Sequence, residues 1–152
     1  MRTMLTLFLL VLAAAPVDTK PFDTEVRETL SNFIQAFDNL DWEQFRGFFT
    51  DDATVFYPRE VPGRATGREQ IEAQFERVFG QIRGNRSKPP YMDLQPRDLS
   101  IQMFGDVAVA TFHLDDRPGV VNRRTIVLHK NAGLWKIVHI HASEVALPRP
   151  PL

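Results

Sequence analysis

The sequence contains no cysteine, which excludes disulfides, thiolate nucleophiles and Cys-based metal centres together. It has no charge excess either, with 18 Lys and Arg against 19 Asp and Glu. No strong field therefore draws the chain to nucleic acid or acidic lipid, and no nucleic-acid partner is expected. There is no HExxH motif, no carboxylate cluster and no internal repeat. The one long apolar run, at the N-terminus, falls short of the roughly 20 residues needed to cross a bilayer.

What is present is enough for one core. A chain of 152 residues, 43% of them hydrophobic, forms one ordinary domain. Its first residues form a separate segment. Met1-Arg2-Thr3 carries a positive charge, Met4 to Leu12 is apolar apart from Thr6, and Ala13-Ala14-Ala15 are small. That is the layout of a secretory signal peptide, residues 1–15, which predicts a secreted or periplasmic protein with no membrane attachment after cleavage. The absence of a following cysteine argues against a lipid anchor.

Phe22, Val26, Leu30, Phe33, Ile34, Phe37 and Leu40 recur at helical spacing and predict a helix from about Thr24 to Asn39. Asp41 is placed to cap a short second helix whose buried face is Trp42, Phe45, Phe48 and Phe49. Thr50-Asp51-Asp52 reads as the turn ending that helix, followed by a short strand over residues 53–57 and a loop from Arg59 to Arg64. Thr66 with Glu69 reads as a capping box opening a third helix, with Ile71, Phe75, Val78, Phe79 and Ile82 on one stripe.

From Tyr91 the period becomes two. A long strand with a bend at Gln95-Pro96-Arg97, a hairpin at Gly105-Asp106 and a second turn at residues 115–119 lead to the longest hairpin, Arg123 to Glu144, which turns at Asn131-Ala132-Gly133. Alternation puts Trp135, Ile137, His139, His141 and Ser143 on one face, and Lys136, Val138, Ile140, Ala142 and Glu144 on the other. The proline-rich tail, residues 147–152, cannot continue a strand. The order predicts an α+β fold, with helices of the N-terminal half gathered on one face of a curved sheet.

This order, with Asp51-Asp52-Ala53-Thr54-Val55, Gly67-Arg68-Glu69-Gln70-Ile71, Gly105-Asp106-Val107-Ala108-Val109, Arg123-x-Thr125-x-Val127 and Trp135-x-Ile137-x-His139-x-His141-x-Ser143, resembles the nuclear-transport-factor-2-like superfamily. The likeness is to its SnoaL-like members and to the ketosteroid isomerases, and it spans residues 22–146. The resemblance implies a cone-shaped domain: a curved antiparallel sheet with three helices on its concave face, a pocket between them, and a homodimer. It does not imply one chemistry. Ketosteroid isomerases use a carboxylate base, a tyrosine and a protonated aspartic acid. Carried onto this chain, the tyrosine position holds Phe33, the base Tyr57 and the aspartic acid Thr125, so that mechanism is not expected.

Pocket candidates by resemblance are Tyr57, Phe33, Thr125, Val127, Ile140, Ala142 and Glu144, with Arg123, His113, His139 and His141 as secondary candidates. The two strand imidazoles share a face and could bind a metal with a third ligand or shuttle protons. Alternation puts Glu144 on the opposite face, and neither a metal nor another cofactor is expected. Two readings follow: a domain holding a small, largely apolar molecule, acting as an isomerase, cyclase or dehydratase if catalytic, or a non-catalytic homodimeric interaction module with Trp135, Ile137 and His139 at its seam.

Overall fold

The computed structural model describes residues 23–58, 62–84, 88–114 and 119–148. The expected signal segment, Phe22 and residues 149–152 of the tail lie outside the described residues. Helix α1 (Thr24–Asp38) buries Val26, Leu30, Phe33 and Ala36 along one stripe, as its spacing predicts. Leu40 then turns the chain with φ +50° and is buried. The strain of that left-handed conformation, roughly 1–2 kcal/mol, is offset by burying the side chain. Asp41 caps α2 (Trp42–Arg46), its carboxylate accepting the Gln44 N–H at 3.1 Å.

Thr50, Asp51 and Asp52 do not form the expected turn. They belong to β1 (Phe49–Phe56), in an irregular stretch between two segments paired to the last strand. Arg64, the last residue of the expected loop, instead opens a second strand, β2 (Arg64–Thr66), antiparallel to β1. The capping box is corrected too. The N-cap of α3 (Arg68–Arg83) is Gly67, at φ +80°. Gln70, not Glu69, reaches back to the Thr66 N–H. Arg68 grips Asp51 at 2.5 Å, so the Asp51-Asp52 and Gly67-Arg68 motifs join β1 to the start of α3.

The expected strand from Tyr91 begins only at Pro96. Residues 91–95 cross instead to the end of α1, where Asp38 accepts the Tyr91 N–H with its carbonyl at 2.7 Å and the Leu94 N–H with its carboxylate. The irregularity in β3 (Pro96–Phe104) lies between Arg97 and Ser100, where Asp98 takes φ +54°. Strands β4 (Val107–Leu114), β5 (Val120–Asn131) and β6 (Leu134–Ala146) follow as an antiparallel meander. Ala132 and Gly133 turn the last hairpin with positive φ at both positions, the primed geometry that matches strand twist. The sheet order is β2-β1-β6-β5-β4-β3. The antiparallel expectation holds for every pair but one. β1 runs parallel to β6, with α3 and four strands intervening before the chain returns beside it.

One departure from regular pairing decides which residues face inward. Val127 pairs with His139 but Leu128 pairs with Ile137, so Val138 is an extra residue in β6. The bulge shifts the phase of alternation by one. Trp135 and Ile137 are therefore buried on the same inner face as Ile140 and Ala142, while His139 and His141 point to the outer face. The expected grouping of Trp135 and Ile137 with the histidines is overturned, and with it a dimer seam containing Trp135 and Ile137. Trp135 instead donates from Nε1 to Glu25 of α1 at 3.0 Å.

On the outer face, His139 Nδ1 meets Thr54 Oγ1 at 2.7 Å, and Phe56 packs beside both His139 and His141. Burial, then the charges of His141 and Arg64, hold the His139 imidazole below its ordinary 6.5, partly opposed by the Thr54 backbone. A base whose folded-state pKa is depressed leaves stability intact above the unfolded value. Stability is lost as pH falls below it, because the unfolded chain takes the proton more readily. Urea unfolding of wild type should therefore lose more stability between pH 7.5 and pH 5 than unfolding of His139→Gln. Equal losses would refute the assignment.

Candidate functional site

Between the inner face of the sheet and helices α1 and α3 lies a cavity of about 300 Å³, at the lower end of the roughly 300–1,000 Å³ of small-molecule sites. Strand pairing builds it row by row. Val55, Ile140, Ile126 and Ala110 form one apolar row across β1, β6, β5 and β4, and the next row holds Ala142, Arg124 and Phe112. Phe33, Ile34 and Phe37 of α1 and Phe75, Val78 and Ile82 of α3 cover the row from above, and Met92 and Leu94 close one side. Those two are held in place by the Asp38 contacts, and beyond them lies a more open groove of about 560 Å³ lined by polar and apolar residues of α1 and the 90–96 segment, with Leu99 and Phe112. The Asp38 carboxyl sits above the usual range, chiefly because it is buried and also because Asp93 is near, with the Leu94 N–H opposing both.

Apart from Tyr57 and Arg124, every residue lining the smaller cavity is apolar. Tyr57 follows the end of β1, packs edge-on against Phe75, and makes a long 3.4 Å hydrogen bond to the Ile71 carbonyl. Burial pushes its phenol well above the ordinary value, so it is a neutral donor at physiological pH and not a base. Arg124 is half-buried, and its Nη1 donates to the Arg123 carbonyl at 3.0 Å. In an apolar surround, one cation and one phenol can orient a ligand's polar end.

Of the residues expected at the site, the structure brings Phe33, Tyr57, Ile140 and Ala142 into the lining. Thr125 and Val127 do not belong to it. They pair with His141 and His139 on the outer face, which also removes Thr125 as a stand-in for the isomerases' acidic donor. Arg123 and His113 are paired to each other on that outer face, where His113 lies 3.9 Å from Asp98. Glu144 is on the inner face, paired to Asn122 one row beyond Arg124, and does not line the cavity. His139 and His141 face away from it. Among the described residues, no group of three or more His, Asp or Glu side chains is placed to hold a metal.

Sequence reasoning missed Arg124, naming its neighbour Arg123 instead. Both phases of β5 carry apolar residues, Ile126 and Leu128 in one and Val121 and Val127 in the other, so alternation alone did not choose between the two arginines. The lining residues Met92, Leu94 and Phe112 were missed as well. Asn122, which shares the phase of Arg124, is buried to 1% exposure on the inner face, but that burial comes from strand pairing and was not legible in the sequence.

The comparisons with known proteins agree with this geometry. No curated protein matches the chain in sequence. Among solved structures, a nuclear-transport-factor-2-like protein of unknown function from Pseudomonas putida is 21% identical, covers 80% of this chain and 84% of its own, and superposes with a TM-score of 0.68. A proposed dehydratase of the same family from Streptomyces avermitilis is 19% identical over 80% of this chain and 94% of its own, with a TM-score of 0.63. A proposed ketosteroid isomerase from Parabacteroides distasonis is 22% identical over 76% of this chain and 84% of its own, at 0.61. At such identities these likenesses establish the fold. The family model of the SnoaL-like domain matches residues 26–148, so the helices, the sheet and the cavity between them belong to a member of the SnoaL-like family within the nuclear-transport-factor-2-like superfamily.

Proposed function

We propose that the chain is a ligand-binding SnoaL-like domain that holds a small, largely apolar molecule in the cavity between sheet and helices. The observation that carries this reading is the lining itself: side chains of both helices and four strands converge on about 300 Å³ that they do not fill, with only Tyr57 and Arg124 polar. Isomerase-type proton abstraction requires a base at the reacting carbon. The expected position holds Tyr57, which burial keeps protonated, and among the described residues the lining holds no carboxylate or imidazole. These features favour binding and orientation over proton transfer. The neutral aromatic amide 2-naphthamide should raise the thermal unfolding midpoint of wild type, because a ligand that binds only the folded state stabilises it by mass action. Ala142→Phe, which places a ring in the cavity, should abolish that rise while the variant stays folded. Stabilisation that persists in Ala142→Phe would place the ligand elsewhere.

Export is part of the same proposal, and it rests on the charged, apolar and small-residue layout of residues 1–15. Intact-mass measurement of the protein recovered from its native cell should show a chain that has lost about its first 15 residues. Full-length protein recovered from the cytoplasm would contradict it.

A second proposal concerns self-association, and the observation favouring it is Phe56. This ring is 38% exposed on the outer sheet face, flanked by His139 and His141, with Val127 and Thr125 in the adjoining strand. A homodimer joined by this face would cover the ring. Phe56→Asp should convert a dimer to a monomer in sedimentation analysis, and a wild type that sediments as a monomer at micromolar concentration would dismiss the idea.

A further inference from the structure

We propose that the ligand is an apolar carboxylic acid whose carboxylate is seated over Ala142, between Arg124 and Tyr57. The inference rests on the binding reading above and names the ligand class for that same cavity.

A single row of the sheet carries it. On the inner face Arg124 is paired to Phe112 on one side and Ala142 on the other. In the parallel pairing of β1 with β6, Phe56 lies opposite His141, so Tyr57, the next residue, continues the row toward Ala142. All four line the cavity. Neighbouring strands are about 4.8 Å apart, so the backbones of Arg124 and Tyr57 stand two strand spacings apart, with Ala142, whose side chain is a single methyl, between them. That gap suits a planar two-oxygen group. The neighbouring row of Val55, Ile140, Ile126 and Ala110 is wholly apolar and would take the ligand's hydrocarbon body.

The charge decides the class. A guanidinium in an apolar surround favours a carboxylate, which it can meet with two parallel N–H donors, and repels a cation. A neutral acceptor gains less from the charge than an anion does. Tyr57, whose hydrogen bond to Ile71 is long, adds a second donor and no negative charge. Glu144, one row outward on the same face, is the described acidic group nearest this row by register. It does not line the cavity.

The test compares two probes of one shape, 2-naphthoate, ionised at neutral pH, and 2-naphthamide, which is neutral. Titration calorimetry on wild type should show naphthoate binding at least about tenfold tighter. In Arg124→Gln that preference should vanish, with an unchanged circular-dichroism spectrum showing that the variant is folded. Arg124→Lys should keep part of the preference, since it restores the charge without the paired donors. Equal affinity for the two probes in wild type, or a preference for naphthoate that survives in Arg124→Gln, would overturn the acid assignment and leave the binding reading standing. Binding of neither probe to wild type would remove both.

Discussion

Phe45 is the contact on which the arrangement of helices depends. It is 1% exposed, and its ring lies between 4.7 and 6.2 Å from those of Phe33, Phe37, Trp42, Phe49, Phe75 and Phe79. These six come from α1, α2, β1 and α3, so a single side chain on a five-residue helix ties every helix to the sheet. Edge-on and offset contacts of this kind are each worth about 0.5–1.5 kcal/mol beyond the area they bury. The same rings form the closed end of the cone. Phe33, Phe37 and Phe75 touch Phe45 on one side and line the cavity on the other, so the packing that stabilises the fold also shapes the space it leaves.

Irregular pairing at the centre of the sheet does complementary work. Val138 is inserted in β6 next to the stretch of β1 in which Thr50 to Ala53 leave the ladder, so both irregularities fall at Ile137–His139. Bulges at such places redirect side chains. Here they let a long strand place Trp135, Ile137, Ile140 and Ala142 inside and two imidazoles outside. An apolar interior and a titratable exterior thus come from one strand, which separates the chemistry of the outer face from that of the cavity.

The two polar groups of the cavity respond to burial in opposite ways. Tyr57 is held neutral, because removing water penalises the phenolate. Arg124 stays charged in any protein environment. A neutral donor and a fixed cation in an apolar cone recognise an acceptor or an anion without supplying a base. This fold serves many unrelated purposes elsewhere, and the argument for this chain therefore stands on these residues and not on its relatives.

Much of the architecture was legible in the residues. The 3.6-residue spacing of Val26, Leu30 and Phe33, the Asp41 cap, the Gly105-Asp106 turn and the period-two strands are local signals, and local physics produces them wherever the chain lies. Phe33, Tyr57, Ile140 and Ala142, expected at the pocket, line the cavity. What alternation could not supply was the phase of each strand, because β5 and β6 carry apolar residues in both phases. Thr125 and Val127 fell on the wrong face, and Arg123 was chosen over Arg124, for that one reason. Phase is decided by pairing between segments distant in the chain, in which β1 lies beside β6 and one inserted residue turns every side chain beyond it. Sequence spacing determined which elements form, and tertiary pairing decided which of two adjacent arginines faces the cavity, because a strand's faces acquire meaning only from the neighbours that cover them.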